Sequence, residues 1–327
     1  MNVPLQPDVS VIIVNLNTRA LLDACLESVC KAVAEATMEV IVIDNGSTDG
    51  SVELVREQYP NVHVQVNQMN EGFAQPNNDG MHLAKGRYLF LLNSDAELRP
   101  GAIRRLVQFM DERPEVGACG PRLVYPDGRQ QRSVRGFPSL WTHVCDMFLL
   151  DAVFSGSPLF GRGEMAYFDY SNTAAVDHTM AAAFLVRREI LETVGDLDER
   201  FSIYYNDMDW CYRIVRQGWQ IFYVHDAVVI HHLGSTVNER NRNFGVFEEL
   251  YDNTMLFFQK RYGRWAVPVY KILLAVGFSF RVVCWGIAYM LRPSDHTRER
   301  VRYSWLSFKL GVRFWRPLPY GNEETRK

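Results

Sequence analysis

The chain lacks the devices that hold small secreted or metal-folded domains together. Its six cysteines (Cys25, Cys30, Cys119, Cys145, Cys211 and Cys284) form no C-x-x-C pair and no Cys/His cluster with metal-ligand spacing. That excludes a zinc-stapled module and leaves reduced thiols that simply pack. Neither G-x-G-x-x-G nor G-x-x-x-x-G-K-[ST] occurs, so dinucleotide and P-loop readings have no support. Repeats and low-complexity tracts are absent. The opening MNVPLQPD runs straight into VSVIIVN with no basic leader or cleavage site, and a cytoplasmic location is expected from that. What remains is 327 residues, 47% hydrophobic and 22% charged. This is globular material, long enough for one large α/β domain or a domain with an appendage.

The net charge of −3 conceals a division. Lys260 to Lys327 carries 14 Lys and Arg against 4 Asp and Glu, leaving 21 against 34 for the rest. An acidic body therefore bears a basic tail, which points to an anionic partner for the tail. Nucleic acid is not the expected partner.

Within the body, apolar runs end repeatedly in polar residues. DVSVIIVNLN (Asp8 to Asn17) is followed by helical spacing at Leu21, Leu22, Cys25, Leu26 and Val29. EVIVID ends in Asp44, and DGSVELVREQY after it is helical again. VHVQVN alternates as a third strand, GFAQPNNDGMHLAKG leads through a loop into a helix, and RYLFLLNSD is a fourth strand ending in Asp95. This alternation predicts a mainly parallel sheet with helices on both faces, an α/β class. Ligands of such sheets bind at the carboxyl ends of the strands, where Asn15, Asp44, Asn67 and Asp95 would emerge. On its own, Asp44 reads equally well as a ligand contact or as an aspartate closing the turn before a helix.

VSVIIVNLN, EVIVIDNGSTDGS, NEGFAQPNNDG and YLFLLNSDAEL, taken in order, resemble the inverting family-2 glycosyltransferases of GT-A fold (Rossmann-like), rhamnosyltransferase-like members in particular. The likeness runs from about Val9 to Thr236. It implies that Asp44, near Asn15 and Asn45, reads the base of a nucleotide-sugar. It further implies that Asn70, Gly72, Phe73 and Asn77 lie along the donor. Asn93, Ser94 and Asp95 stand at the family's D-x-D motif, where Asp95 would hold a divalent cation (Mg2+ or Mn2+) on the diphosphate. A hard cation on carboxylate and phosphate oxygens neutralises the leaving group. Because Asn93 replaces the first acid, the ion is expected to arrive with the diphosphate.

Further on, Arg122 to Leu140 reads as a hairpin or loop over the site. Arg132 and Arg135 there are either phosphate-facing or, as expected of a polar loop, solvated. Trp141 to Asp177 reads as an irregular, mobile or membrane-facing insertion. Ala181, Ala182 and Ala183 would allow close approach of the donor sugar, and Arg187 to Val194 is expected to be helical. A helix starting near Asp207 should bury Trp210, Ile214 and Val215. Residues two apart on a helix face different ways, so Asp207 and Asp209 cannot share one substrate atom. The resemblance makes Asp207 the general base; the alternative is a helix-start acid. Asn206 replaces the family's usual Glu. His225 is expected to be a satisfied core group. In the family, a histidine at the end of this strand contacts the metal or diphosphate, and His232 is chosen here, with His231 in reserve.

In the tail, Val267 to Leu291 is long enough to cross a bilayer, which takes ~20 apolar residues, but Arg281 sits near its middle. The following segment mixes six basic residues with Trp305, Phe308, Phe314 and Trp315, a pattern that favours a helix in the headgroup layer. The alternative is a helical hairpin docked on the body or on a second subunit of a homodimer. The expected organisation is a glycosyltransferase domain over 1–259, with a nucleotide-sugar half to about 120 and an acceptor half from about 121. A membrane-associating helical tail over 260–327 would hold the enzyme peripherally on the inner face of the membrane. The expected activity is metal-dependent inverting transfer of a sugar, dTDP-L-rhamnose being the favoured donor, to a glycan or a polyprenyl-diphosphate-linked acceptor. A UDP-hexose donor, or a catalytically silent nucleotide-binding scaffold, is the alternative.

Overall fold

A computed structural model describes residues 6–201, 204–232 and 244–312, without the side chains of 244–248 and 310–312. Phe314 and Trp315 lie outside it. The first four apolar runs form β1 (Val9–Asn15), β2 (Met38–Asp44), β3 (His63–Val66) and β4 (Tyr88–Asn93), all parallel in the order β3-β2-β1-β4. Their crossovers are α1 (Arg19–Lys31), α2 (Ser51–Gln58) and α3 (Ala74–Leu83). Alternate residues of a strand face opposite sides. Accordingly, Val9, Val11 and Ile13 of β1 join Leu22, Cys25, Leu26 and Val29 of α1 in one core, while Ile12 faces the other way, against Gly80 of α3.

After β5 (Ala96–Leu98) and α4 (Ala102–Asp111) come β6 (Val116–Val124), β7 (Val134–Arg135), α5 (Leu140–Met147) and α6 (Leu150–Val153). Then follow β8 (Ala174–Ala175), β9 (His178–Thr179), β10 (Ala183–Arg187), α7 (Glu189–Thr193), α8 (Asn206–Arg216) and β11 (Gln220–His231). The sheet continues β10-β6-β11-β5, with β10 antiparallel to β4 and β6. The result is the expected mainly parallel α/β sheet, made mixed by β10 and by β5 and β8, which run antiparallel to β11.

Local readings differ from the structure at several places. β6 carries Gly117, Gly120 and Pro121 and does not read as a strand, yet it is central. A Cβ on Gly120 would stand 2.5 Å from the Thr179 side chain, so glycine marks a close approach there and not a break. The stretch 122–140 opens as the expected hairpin, Val124 bridging Gln130 across an exposed turn at 126–129, but it is not a solvated loop throughout: Gln131, Ser133 and Val134 are buried, and Arg132 projects to solvent. Arg135 turns back to donate to the Arg132 and Val134 carbonyls. Arg187 ends a strand, and the expected helix shrinks to α7. On α8, Trp210 and Ile214 are buried but Val215 is exposed, because it lies on the opposite side from Phe184, against which Trp210 packs.

The chain forms two compact units. One comprises the described residues of Met1–Arg135 with Phe168–Arg240, the other those of Gly136–Tyr167 with Asn241–Lys327. In the second unit, the expected irregular insertion contains α5, opened by a capping box in which Ser139 and Thr142 exchange side-chain to backbone hydrogen bonds. Three helices join it: α9 (Phe244–Tyr262), α10 (Ala266–Leu291) and α11 (Asp295–Val312). The boundary expected after residue 259 falls inside α9. His143 of α5 sits edge-on between Phe258 and Tyr270, and Gly277 of α10 packs against Met147. Arg281 is not stranded in an apolar helix, because it donates to the Met147 carbonyl at 3.1 Å and pairs with the Asp146 carboxylate at 2.7 Å. Lys271 is buried as well. Both cations of α10 therefore turn towards protein, and no charged residue between Arg264 and Arg292 is exposed. The exposed face carries Trp265, Val269, Ile272, Val276, Phe280, Val283, Ile287 and Leu291 at helical spacing.

Candidate active site

The register of the parallel strands brings the polar residues together. Asn15 stands opposite Asp44, and Val14 opposite Asn93, so β1, β2 and β4 all surface at one edge. Asp44 is 1% exposed. Its Oδ1 accepts from the backbone N–H of Gly46 (3.1 Å) and Ser47 (2.7 Å), and its Oδ2 from Asn15 Nδ2 (2.8 Å). The turn-closing reading of Asp44 is thus realised, and a base can reach it only through the remaining lone pair of Oδ2. Asn15 also donates to Ser47 Oγ (3.1 Å) and accepts from Thr18 Oγ1 (2.6 Å), which lies 2.9 Å from Ser94 Oγ. Hydrogen bonds therefore run without a break from Asp44 to the residue before Asp95.

Asn45 clips on the next segment. Its Nδ2 donates to the Gly72 carbonyl at 2.9 Å and approaches Asn70 Oδ1 at 3.4 Å. Gly72 has φ +83°, a left-handed conformation that a side chain would strain. The Phe73 carbonyl receives Asn77 Nδ2 at 2.8 Å, which ties the start of α3 to the same edge.

His231, and not His232, faces Asp95. His231 Nε2 is 3.3 Å from Asp95 Oδ1 and 3.5 Å from Asn93 Nδ2, whereas His232, one residue on and turned the other way, bonds Glu97 at 2.6 Å. Gln131 clamps His231 twice. Its Nε2 donates to the His231 carbonyl (2.6 Å), and its Oε1 lies 3.0 Å from Nδ1. With Oε1 as acceptor, Nδ1 carries a proton, so in the neutral ring Nε2 presents a lone pair to a carboxylate oxygen. Two acceptors at that separation call for a proton or a cation between them. The donor set suits a hard-to-borderline divalent ion, with Gln131 as the outer partner that fixes the ring. Among the described residues, no group of three or more His, Cys, Asp and Glu could hold a metal. An ion here would need ligands from the diphosphate and water.

Asp207 lies in the first turn of α8. Its Oδ2 accepts from the Ala181 N–H at 3.1 Å, and its Oδ1 from Met208 N–H at 2.8 Å. The next residue, Ala182, takes the Asn93 N–H at 2.9 Å, so two short backbone steps connect Asp207 to the Asn93-Ser94-Asp95 corner. Burial raises the Asp207 carboxyl, but His178 beside it and the two N–H donors outweigh burial and hold it below the usual carboxylate range. Asp209 points elsewhere, to Arg213 at 2.8 Å. Asn206 donates to the Phe201 carbonyl at 2.8 Å, a bond that a carboxylate in its place cannot make, so here the position serves the fold. Tyr204 and Tyr205, just before α8, both have left-handed backbones (φ +58° and +63°), conformations that cost free energy outside glycine. His225 is satisfied by the Tyr170 carbonyl at 2.7 Å, as expected. Gln131, His178 and Thr18 escape sequence reasoning because none stands in a periodic or motif position, and Ser47, though inside EVIVIDNGSTDGS, reads there only as a turn residue. The bond from the Gln131 N–H to the Leu123 carbonyl sets Gln131 beside β6, and the pairing of β9 with β7 holds the His178 segment.

The mixed sheet, its polar carboxyl edge, the Asp95–His231 pair and a carboxylate at a helix start together define a sugar-transferring enzyme of the GT-A class. The chain belongs to Glycosyl transferase family 2, whose sequence profile matches residues 10–195. It is similar to the N-acetylglucosaminyl-diphospho-decaprenol L-rhamnosyltransferase of Mycobacterium tuberculosis, with 28% identity over 248 residues, 72% of this chain and 79% of the relative. It also matches the O-antigen biosynthesis protein RfbC of Myxococcus xanthus at 29% identity, covering 69% of this chain but 17% of that protein. Among solved structures, it resembles the mannosyltransferase PcManGT of Pyrobaculum calidifontis in complex with GDP-Man and Mn2+, with a TM-score of 0.54, 16% identity and coverage of 94% and 87% of the two chains. S. aureus TarS 1-349 matches with a TM-score of 0.52, 16% identity and coverage of 94% and 81%. At such identity the structures speak for the fold alone.

Proposed function

We propose that the protein transfers a sugar with inversion from a nucleoside-diphosphate donor, dTDP-L-rhamnose being favoured, to a hydroxyl of a glycan or a polyprenyl-diphosphate-linked acceptor in surface-polysaccharide synthesis. The observation that carries this reading is the Asp95–His231 pair, two hydrogen-bonded backbone steps away from an ionised Asp207. Asp44, Asn15 and Asn45 bind and orient the nucleoside end of the donor, and the loop at Asn70 to Asn77 lines its path. Asp95 and His231 would hold a Mg2+ or Mn2+ ion, which supplies charge neutralisation for the departing diphosphate. Asp207 takes the proton of the acceptor hydroxyl as that oxygen bonds to the anomeric carbon and the bond to the diphosphate breaks. The rhamnosyl donor is supported by the mycobacterial relative's name.

The test is release of nucleoside diphosphate from a panel of dTDP- and UDP-sugars with Mg2+ or Mn2+. Turnover of dTDP-L-rhamnose above the others is expected, and preference for a UDP-hexose would replace the donor. Asn93 in place of an acid favours a silent nucleotide-binding scaffold, which would bind a donor and release nothing. Asn206, also standing where the family has an acid, does not favour it, given its bond to the Phe201 carbonyl.

The proposal extends to location, on the inner face of the cell membrane. By length and composition α10 could cross a bilayer, at about 39 Å for 26 residues. However, it buries Tyr270, Leu274 and Phe278 against protein and leaves one stripe free. A one-sided apolar stripe, followed by exposed Arg298, Arg300, Arg302 and Lys309 on α11, fits an anionic bilayer surface better than a span. Vesicle flotation tests this. Binding to anionic vesicles should be lost in Ile272→Glu/Val276→Glu/Val283→Glu, and unchanged binding, or a dimer that the substitutions dissolve, would overturn it.

A further inference from the structure

We propose that His178 is a positioning residue for Asp207, a buried imidazole set beside the carboxylate to keep it ionised and aimed at the acceptor. The inference rests on the reading of Asp207 as the base. His178 is 5% exposed on β9, and neither ring nitrogen has a hydrogen-bond partner among the described residues. Buried polar atoms left in that state are rare in folded proteins and call for a reason. The acidic atom facing it is Asp207 Oδ2, 3.2 Å from Nε2 but off the hydrogen-bond line. A small ring rotation would align an Nε2–H with that oxygen, and catalytic hydrogen bonds often tighten only when substrate is bound.

Among the described residues, His178 is the side chain that lies against the Asp207 carboxylate. Across the β7–β9 pair the residue opposite His178 is Arg135, whose guanidinium donates to the Arg132 and Val134 carbonyls. On α8 itself, Cys211 lies one turn beyond Asp207, its thiol pushed well up by burial and by the Asp207 charge. It therefore stays neutral. His178 is thus the side chain placed to oppose the burial of Asp207, alongside the Ala181 and Met208 amides. The carboxylate, once it has taken the acceptor's proton, returns to its ionised form more readily with an imidazole at its back.

The experiment compares the full-length protein with His178→Phe, which keeps the ring's bulk, and His178→Gln, which keeps an N–H near the Nε2 position. Release of nucleoside diphosphate from dTDP-L-rhamnose with Mn2+ is followed from about pH 3.5 to pH 9, so that a limb raised from below the ordinary carboxylate range comes into view. His178→Phe should move that limb up by about one to three pH units, leave the donor KM within about twofold, and be rescued by His178→Gln. A limb that does not move, or an equal loss at every pH in both variants, would overturn the proposal. If the wild type turns over no donor, the functional reading fails by itself and a second measurement decides the His178 question. In urea unfolding over the same pH range, the stability difference between wild type and Asp207→Asn should shrink in the His178→Phe background, the Ala181 and Met208 amides keeping the rest. A difference unchanged in that background would overturn the proposal.

Discussion

Replacing Gln131 with leucine cuts both ends of the clamp on His231. The His231 carbonyl and its Nδ1 proton lose partners at 2.6 and 3.0 Å, in a place where Gln131 is 2% exposed and His231 3%, so water cannot readily replace them. Each orphaned group costs about 1–3 kcal/mol, and leucine of similar bulk returns part of that as apolar packing. A net loss of about 2–4 kcal/mol in unfolding free energy is expected. The ring, no longer held, would turn its Nε2 away from Asp95. Loss of such an outer partner typically lowers metal affinity about 10- to 100-fold. The assay is a Mn2+ titration of the full-length protein with dTDP-L-rhamnose held constant, followed by thermal stabilisation and by the paramagnetic signal of free Mn2+. Gln131→Glu keeps an acceptor for Nδ1 and should recover most of the Mn2+ dependence. A folded Gln131→Leu protein with an unchanged Mn2+ midpoint would refute the placement of Nε2 as a ligand.

Asp207→Asn should retain donor binding, measured calorimetrically, while turnover falls by about 10²–10⁴-fold. Because the folded-state Asp207 carboxyl lies below its ordinary range, its contribution to stability is full above the unfolded value. That contribution fades as pH falls through the folded one, so Asp207→Asn should cost stability at neutral pH and little in acid. Gly120→Ala would put a methyl 2.5 Å from Thr179 and should destabilise by about 1–3 kcal/mol in urea melts. In α5, burial pushes His143 down to about 4. The unfolded chain takes up that proton first, so stability should drop between about pH 6.5 and pH 4, and His143→Phe should flatten this part of the profile.

The nucleotide half was legible because β1, β2 and β4 are nearly unbroken apolar runs, each closed by an acid or amide, and parallel pairing aligns those ends. Asp44 and Asn15 follow from that rule alone, whereas Asn93 comes from the family resemblance, because the apolar run reads as a strand continuing to Asp95 while β4 ends at Asn93. β6 was not legible. Its glycines exist to let Thr179 and Trp219 approach, and a packing need of that kind leaves no period in the sequence. The choice between His231 and His232 depended on register, which the pairing of β11 with β5 fixes by setting His231 against Ala96. Gln131 and His178 belong to segments joined by two residue pairs, too short a ladder to show as alternation. In the second unit, a polar capping box at the start of α5 outweighed glycine-rich and aromatic surroundings that read as irregular.

The inward turn of Lys271 and Arg281 has a practical corollary for anyone handling the purified protein. A ribbon of greasy side chains some seven helical turns long, with nothing ionic along it to repel a neighbour, will find cover in any vessel, whether detergent, lipid or another molecule of the same kind. Sedimentation behaviour should therefore track the amphiphile supplied more closely than the protein concentration.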